Sequence, residues 1–402
     1  MPDANSLLRL AGGLGLLCSL SMSSKRSFAA DTSSVAPDRD RGAPGLVDKA
    51  IEEPEYEGEQ TPAGPPPSAM MIGFGGETFL RFGILAQPQA DFSESPTTQK
   101  YAENLFVRRI RFIAAGQIVG RVSFFFETDD PNLGKSTTGM KQLGGFTVQD
   151  AILDLKIADE LVLSGGLMLP PISRNNQQSA AMHLTLDYGS YTFLYSTPEQ
   201  NLVGRDTGFV LKGLLFDKHL EYRAGIFQGV RDKDGSNAFR SAGRLQVDLL
   251  DPEPYLFYPG TYLGQKSVIA LGAGYDWQKG YLAISGDVFV DLPIGPGAVT
   301  LALGYMHLDG GSAIPLLFEQ HTFLGEIGYF ISILTITPWF RYETQRFVAD
   351  ANKPKDEERI QAGLTYYLFG HNLNFKAAYG LVAPSTGMHS NTFTLQLQGF
   401  YF

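Results

Sequence analysis

The residue pattern points to an all-β fold, a 16-stranded antiparallel transmembrane β-barrel. Apolar and polar residues alternate with period two through most of the chain after residue 71, the periodicity of strands with two unlike faces. Each alternating segment is about ten residues long, enough for a tilted strand to cross a bilayer. The connections are by turns tight and long, as when short turns line one rim of a membrane barrel and long loops the other.

Composition agrees. Of the 402 residues, 44% are hydrophobic, 12% aromatic and only 18% charged, with 45 glycines. Charge lies below the roughly 25% of soluble proteins, yet no run of about 18 apolar residues could cross a bilayer as a helix. Cys18 is the single cysteine, which excludes a disulfide scaffold and a metal-thiolate centre. A net charge of −10 argues against nucleic-acid binding.

Residues 1–30 read as a signal peptide. Leu7 to Met22 form an apolar stretch too short to span a membrane, and Ser27-Phe28-Ala29-Ala30 follows as a small-residue cleavage site. The flanking charges are atypical: Asp3 offsets Arg9, and Lys25 and Arg26 come after the apolar run. Leu17 is too large for a lipobox ahead of Cys18. Cleavage removes Cys18, leaving a thiol-free chain suited to an oxidising compartment. Residues 31–70 read as an acidic, proline-rich disordered tail in the periplasm, with nine acids against three bases and Pro65-Pro66-Pro67 near its end.

Residues 71–402 supply the barrel. Gly73 to Gly76 reads as a flexible lead-in. Strands are then expected near 77–88, 104–116, 120–129, 146–157, 161–169, 206–215, 219–228 and 240–250. Eight more are expected near 267–277, 281–291, 298–308, 321–331, 333–346, 357–367, 371–381 and 391–402. Leu80, Phe82 and Ile84 alternate with Arg81, Gly83 and Leu85 in the first, and Phe340 and Tyr342 with Arg341 and Glu343 in the thirteenth. The run from Ile327 to Phe340 is apolar enough for a helix, but Ile331, Ile333, Thr335, Ile336 and Thr337 are β-branched and Pro338 interrupts it. It reads as a tight hairpin. Two connections break the tight–long alternation: 251–266 is long where a turn is due, and 278–280 is the reverse. A soluble sandwich alternates as well; the even strand number, the loop asymmetry, the signal segment and the aromatic C-terminus favour a membrane barrel.

Assigning the polar face of each strand to the lumen yields about twelve bases against about eleven acids. The bases include Arg81, Arg109, Arg111, Arg121, Arg223, Arg244 and Arg341, and Arg174 lies in the long 170–205 loop. These are the candidate pore-lining, anion-contacting residues, with Glu127, Asp150 and Asp154 as acidic partners. Arg109 and Arg111 share a face, with Arg121 across the hairpin; the alternative to a transport role is wall structure, paired with Asp150 and Asp154. Strict alternation points Arg108 at lipid, where it snorkels.

Several stretches resemble the phosphate-selective porin O and P family: Phe106-Val-Arg-Arg-Ile-Arg-Phe112, Val148 to Lys156 with Gly165 to Arg174, Gly204 to Gly208 with Leu220 to Gly229, and Arg240 to Gln246. The closing Gly399-Phe400-Tyr401-Phe402 resembles the last strand of outer-membrane barrels, whose final phenylalanine is an assembly signal. Phe402 falls on the face of Gln396 and Gln398, so a bulge near Gly399 or a last residue outside the ladder is expected. The resemblance covers about residues 75–402. It implies a homotrimeric sixteen-stranded porin whose 170–205 loop turns inward as the constriction, in the outer membrane of a Gram-negative-type envelope, in contact with lipid, the barrel-assembly machinery and small solutes or anions. The near-neutral lumen favours passive diffusion of small hydrophilic solutes, at most weakly anion-selective, since phosphate capture needs an excess of guanidinium donors. A phosphate or polyphosphate channel and a non-conducting structural or adhesive barrel are the alternatives.

No cofactor, metal site or catalytic residue is expected. Pairs such as Asp150/Asp154 have acid–base spacing, but any polar-lined strand generates them. The six histidines are scattered, and Asp232 to Ser236 lacks the closing glutamate of a calcium loop.

Overall fold

The computed structural model describes residues 70–137, 139–192, 204–348 and 353–402. The expected signal peptide and all of the acidic tail except Met70 lie outside the described residues. The strands are β1 (Met70–Gly75), β2 (Thr78–Glu94), β3 (Tyr101–Val119), β4 (Val122–Asp129), β5 (Ser136–Thr137), β6 (Met140–Lys141), β7 (Thr147–Ala158), β8 (Leu161–Met168), β9 (Asp206–Leu215), β10 (Leu220–Phe227) and β11 (Arg240–Asp248). There follow β12 (Val268–Gln278), β13 (Tyr281–Ile294), β14 (Gly297–Asp309), β15 (Gln320–Ile331), β16 (Ile336–Phe347), β17 (Glu357–Phe369), β18 (Leu373–Pro384) and β19 (Ser390–Tyr401).

Sixteen of these close a ring by antiparallel pairing, in the order β2-β3-β4-β7-β8-β9-β10 and on through β19, which returns to β2 through Leu395↔Ala90 and Tyr401↔Ile84. Closure leaves no unpaired edge among the ring strands, the condition for a β-structure in lipid. β5 and β6 form a small hairpin within the β4–β7 connection. β1 is an addition that the residue pattern did not announce. Gly75 and Gly76 take φ of +97° and +61° and turn the chain into a hairpin with β2, so the expected flexible lead-in is a paired strand.

Alternation sorts the two faces. Leu105, Phe112, Leu153, Phe209, Leu245 and Phe340 are exposed on the outside, while Arg111, Asp150, Arg240, Arg244, Arg341 and Lys376 are buried inside. An apolar exterior around a polar interior is the inverse of a soluble core and suits a bilayer. The apolar run near residue 330 is a hairpin as expected. The β15–β16 ladder skips from Gly328↔Trp339 to Ile331↔Ile336, so Pro338, which has no N–H, sits in the gap.

Tight turns at 120–121, 159–160, 216–219, 295–296, 332–335 and 370–372 share one rim, and the longer loops share the other. Both exceptions in connection length persist: 249–267 is long on the short-turn rim, and 279–280 is a two-residue turn on the long-loop rim. Strand parity is intact, so the long exception is an insertion and not a missed strand.

Candidate functional site

Two segments pack against the inward faces, one from each rim. The first, residues 169–192, begins the long β8–β9 connection. Its backbone carbonyls accept hydrogen bonds from Ser285 of β13 (at Ile172, 2.6 Å), Lys376 of β18 (at Thr185, 2.6 Å) and Gln398 of β19 (at Ala181, 2.7 Å). The second, residues 249–267, comes from the short-turn rim. Asp291 of β13 accepts the Tyr262 amide at 3.0 Å, and Thr300 of β14 lies 3.0 Å from the Thr261 hydroxyl. A β-strand whose inner face meets another backbone needs small residues there. A Cβ on Gly274 would lie 2.0 Å from the Ile172 carbonyl oxygen.

The two segments meet. Tyr258 donates its amide to Gln177 and accepts from Ser179 at 2.8 and 2.9 Å, a parallel bridge opposite Gln178. Arg174 grips Glu253 with both guanidinium arms, at 2.6 and 2.7 Å, and reaches the Pro259 carbonyl at 2.9 Å. Arg223 binds Gln177 of one segment at 2.7 Å and the Tyr255 carbonyl of the other at 2.8 Å. The guanidiniums of Arg174, Arg223 and Arg244 stand 4.9, 5.1 and 5.6 Å from the centre of the Tyr258 ring, where the ring quadrupole favours cations. Tyr258 donates its hydroxyl to Glu221.

Most of the candidate anion-contacting arginines are committed to carboxylates. Arg111 pairs with Glu127 at 2.6 Å and Asp129 at 3.0 Å, Arg223 with Glu221 at 2.6 Å, Arg244 with Asp287 at 2.7 Å and Arg341 with Glu326 at 2.5 Å. Arg109 pairs with Asp187 of the inserted segment. The acidic partners differ from the expected pairing. Asp150 binds Arg205 at 2.9 Å and Asp154 binds Lys212 at 2.8 Å, because each faces the neighbouring β8–β9 side and not β3. Arg121 is exposed in the β3–β4 turn and joins no arginine ladder. Arg81 stacks on Phe402, 4.8 Å from its ring centre. Arg108 does not face lipid. The β2–β3 register slips between Ala86↔Ile110 and Pro88↔Val107, and the extra residue in β3 turns Arg108 to Asp187 at 2.7 Å. Burial alone would raise the Asp187 carboxyl, but Arg108 and Arg109 hold it well below the ordinary carboxylate range.

No bulge is needed for Phe402. Gln396, Gln398, Phe400 and Phe402 continue one inward face, with Phe402 just past the ladder and edge-on to Phe125 at 6.3 Å. Among the described residues, no cluster of three or more His, Cys, Asp or Glu side chains could hold a metal ion. Residue-pattern reasoning missed Asp187, Arg205, Glu253 and Tyr258, which lie in connections where no periodicity marks an inward side chain.

A closed sixteen-stranded barrel with an apolar belt and a charged, segment-filled interior defines the class: an outer-membrane β-barrel with the porin fold. No protein-family model matches the chain, and no curated protein matches it. Solved structures do. Salmonella typhi OmpF in complex with daunomycin aligns with a TM-score of 0.54 at 15% identity, covering 81% of this chain and 98% of that one. A loop-deletion mutant of OmpT, an outer membrane protein of Vibrio cholerae, aligns at 0.53 and 14%, covering 81% and 100%. Pseudomonas aeruginosa OpdK with vanillate aligns at 0.50 and 11%, covering 80% and 98%. At such identities the likeness is one of fold.

Proposed function

We propose that the barrel is a channel for passive diffusion of small hydrophilic solutes and ions, with at most weak anion preference. The observation that carries this reading is the charge balance of the interior. Arg109, Arg111, Arg174, Arg223, Arg244 and Arg341 each face a carboxylate, so the wall is polar enough to hold water but offers little uncompensated positive field. Segment 169–192 serves as the constriction. A phosphate-selective channel needs guanidiniums free to replace the anion's hydration, and the pairing weighs against it. The resemblance to the porin O and P family supports a homotrimer; the Phe402 strand serves as the signal to the barrel-assembly machinery, and a signal peptide and a periplasmic tail precede the barrel.

The test is planar-bilayer conductance in a KCl gradient, repeated with phosphate. A reversal potential near zero without phosphate block is expected. Strong anion selectivity with block at low phosphate would overturn the reading in favour of a phosphate channel, and absence of conductance would favour a structural or adhesive barrel.

A further inference from the structure

Between the two inserted segments and the wall of β2, β3, β4 and β19 lies a cavity of about 90 Å³. Its walls divide by chemistry. On the short-turn side they are apolar and aromatic: Ile113, Phe125, Phe257 and Phe402, with Phe125 and Phe257 edge-to-face at 5.6 Å. One step toward the long-loop rim stand Arg111 and Glu127. Arg111 spends Nε on Asp129 and Nη1 on Glu127 Oε1. Arg111 Nη2 and Glu127 Oε2 carry no further hydrogen bond among the described residues, and both residues line the cavity.

The cavity thus presents the open arms of Arg111 and Glu127 side by side above an aromatic floor, with Arg205, already bound to Asp150, beside them. We infer that it binds a small zwitterion bearing an apolar or aromatic side chain, of which an apolar α-amino acid is the minimal form. The ligand carboxylate accepts from Arg111 Nη2, its ammonium donates to Glu127 Oε2, and its side chain lies among Phe125, Phe257 and Phe402. Both head-group contacts are charge-assisted and largely desolvated, where such bonds are strongest. An inorganic anion meets the Glu127 charge beside Arg111, finds Arg205 already bound to Asp150 and leaves the aromatic floor unfilled.

The inference rests on the channel reading for its role as a solute subsite, but binding is measurable without conductance. The probes are L-phenylalanine, glycine and phenylacetate, titrated calorimetrically into the full chain folded in detergent, with heat-modifiable gel mobility reporting the fold. Saturable binding of phenylalanine is expected, weaker by roughly tenfold or more for glycine, which lacks the side chain, and for phenylacetate, which lacks the ammonium. Glu127→Gln should weaken phenylalanine but not phenylacetate, and Phe257→Ala should weaken phenylalanine by roughly three- to tenfold. The ligand series on the unaltered protein decides the matter even where a variant fails to fold. Absence of saturable phenylalanine binding, or equal binding of glycine, overturns the inference. KCl conductance measured in parallel separates the two readings: conductance without phenylalanine binding removes only the subsite, and binding without conductance removes only the channel.

Discussion

Arg174 and Glu253 form a two-armed ion pair, 2.6 and 2.7 Å, that ties a segment entering from one rim of the barrel to a segment entering from the other. Both side chains are buried, so neither charge has water as an alternative partner. Removing one member of such a pair typically costs about 3–5 kcal/mol, because the other is left buried and uncompensated.

Glu253→Gln is expected to loosen the two segments while leaving the ring strands paired. The variant should keep its heat-modifiable band and show larger or more fluctuating single-channel currents than the parent. Unchanged conductance in a folded variant would mean that the pair does not hold the segments in place.

Asp187 is the shared partner of Arg108 and Arg109. Asp187→Asn removes one negative charge between two guanidiniums and should shift the reversal potential in a KCl gradient toward anion selectivity. In the parent, the depressed Asp187 carboxyl contributes stability above its unfolded value of about 3.9, and this is lost only as pH falls through the still lower folded value. The Asp187 contribution to selectivity should therefore be equal at pH 7 and pH 5, so the parent–variant difference in reversal potential should not change between them.

His371, in the β17–β18 turn, lies 3.1 Å from the Thr261 carbonyl through Nε2. Burial pushes it down to about 4. Between about 6.5 and that value the unfolded chain binds more protons than the folded one, so stability falls as pH drops through this window. Unfolding in detergent at several pH values should show this slope, and His371→Gln should flatten it.

Gly274 leaves room for the Ile172 carbonyl against β12. Gly274→Val should displace residues 169–192 from that wall, since the added carbon has backbone and not a flexible side chain in its way. Faster permeation of small solutes into liposomes, in a variant that still forms the barrel, is the expected result.

The barrel was legible because a membrane strand writes itself locally. Period-two alternation, ten-residue spans and turn residues are all short-range properties, and the expected 206–215 and 321–331 lie within a residue of β9 and β15. The same parity assigns Arg111, Arg223, Arg244 and Arg341 to the inward face, where they are buried. Arg108 failed because one bulge resets parity, and nothing local marks it.

What the sequence determined by itself is the closed, two-faced barrel and the near balance of charge within it. Only the tertiary structure decided how that charge is spent. Asp187 and Glu253 sit in connections, 78 residues from Arg109 and 79 from Arg174 respectively, and connections carry no periodicity that says which way a side chain points. The partners of a buried arginine are chosen by which backbone the folded wall leaves room for, and that is a property of the closed ring as a whole.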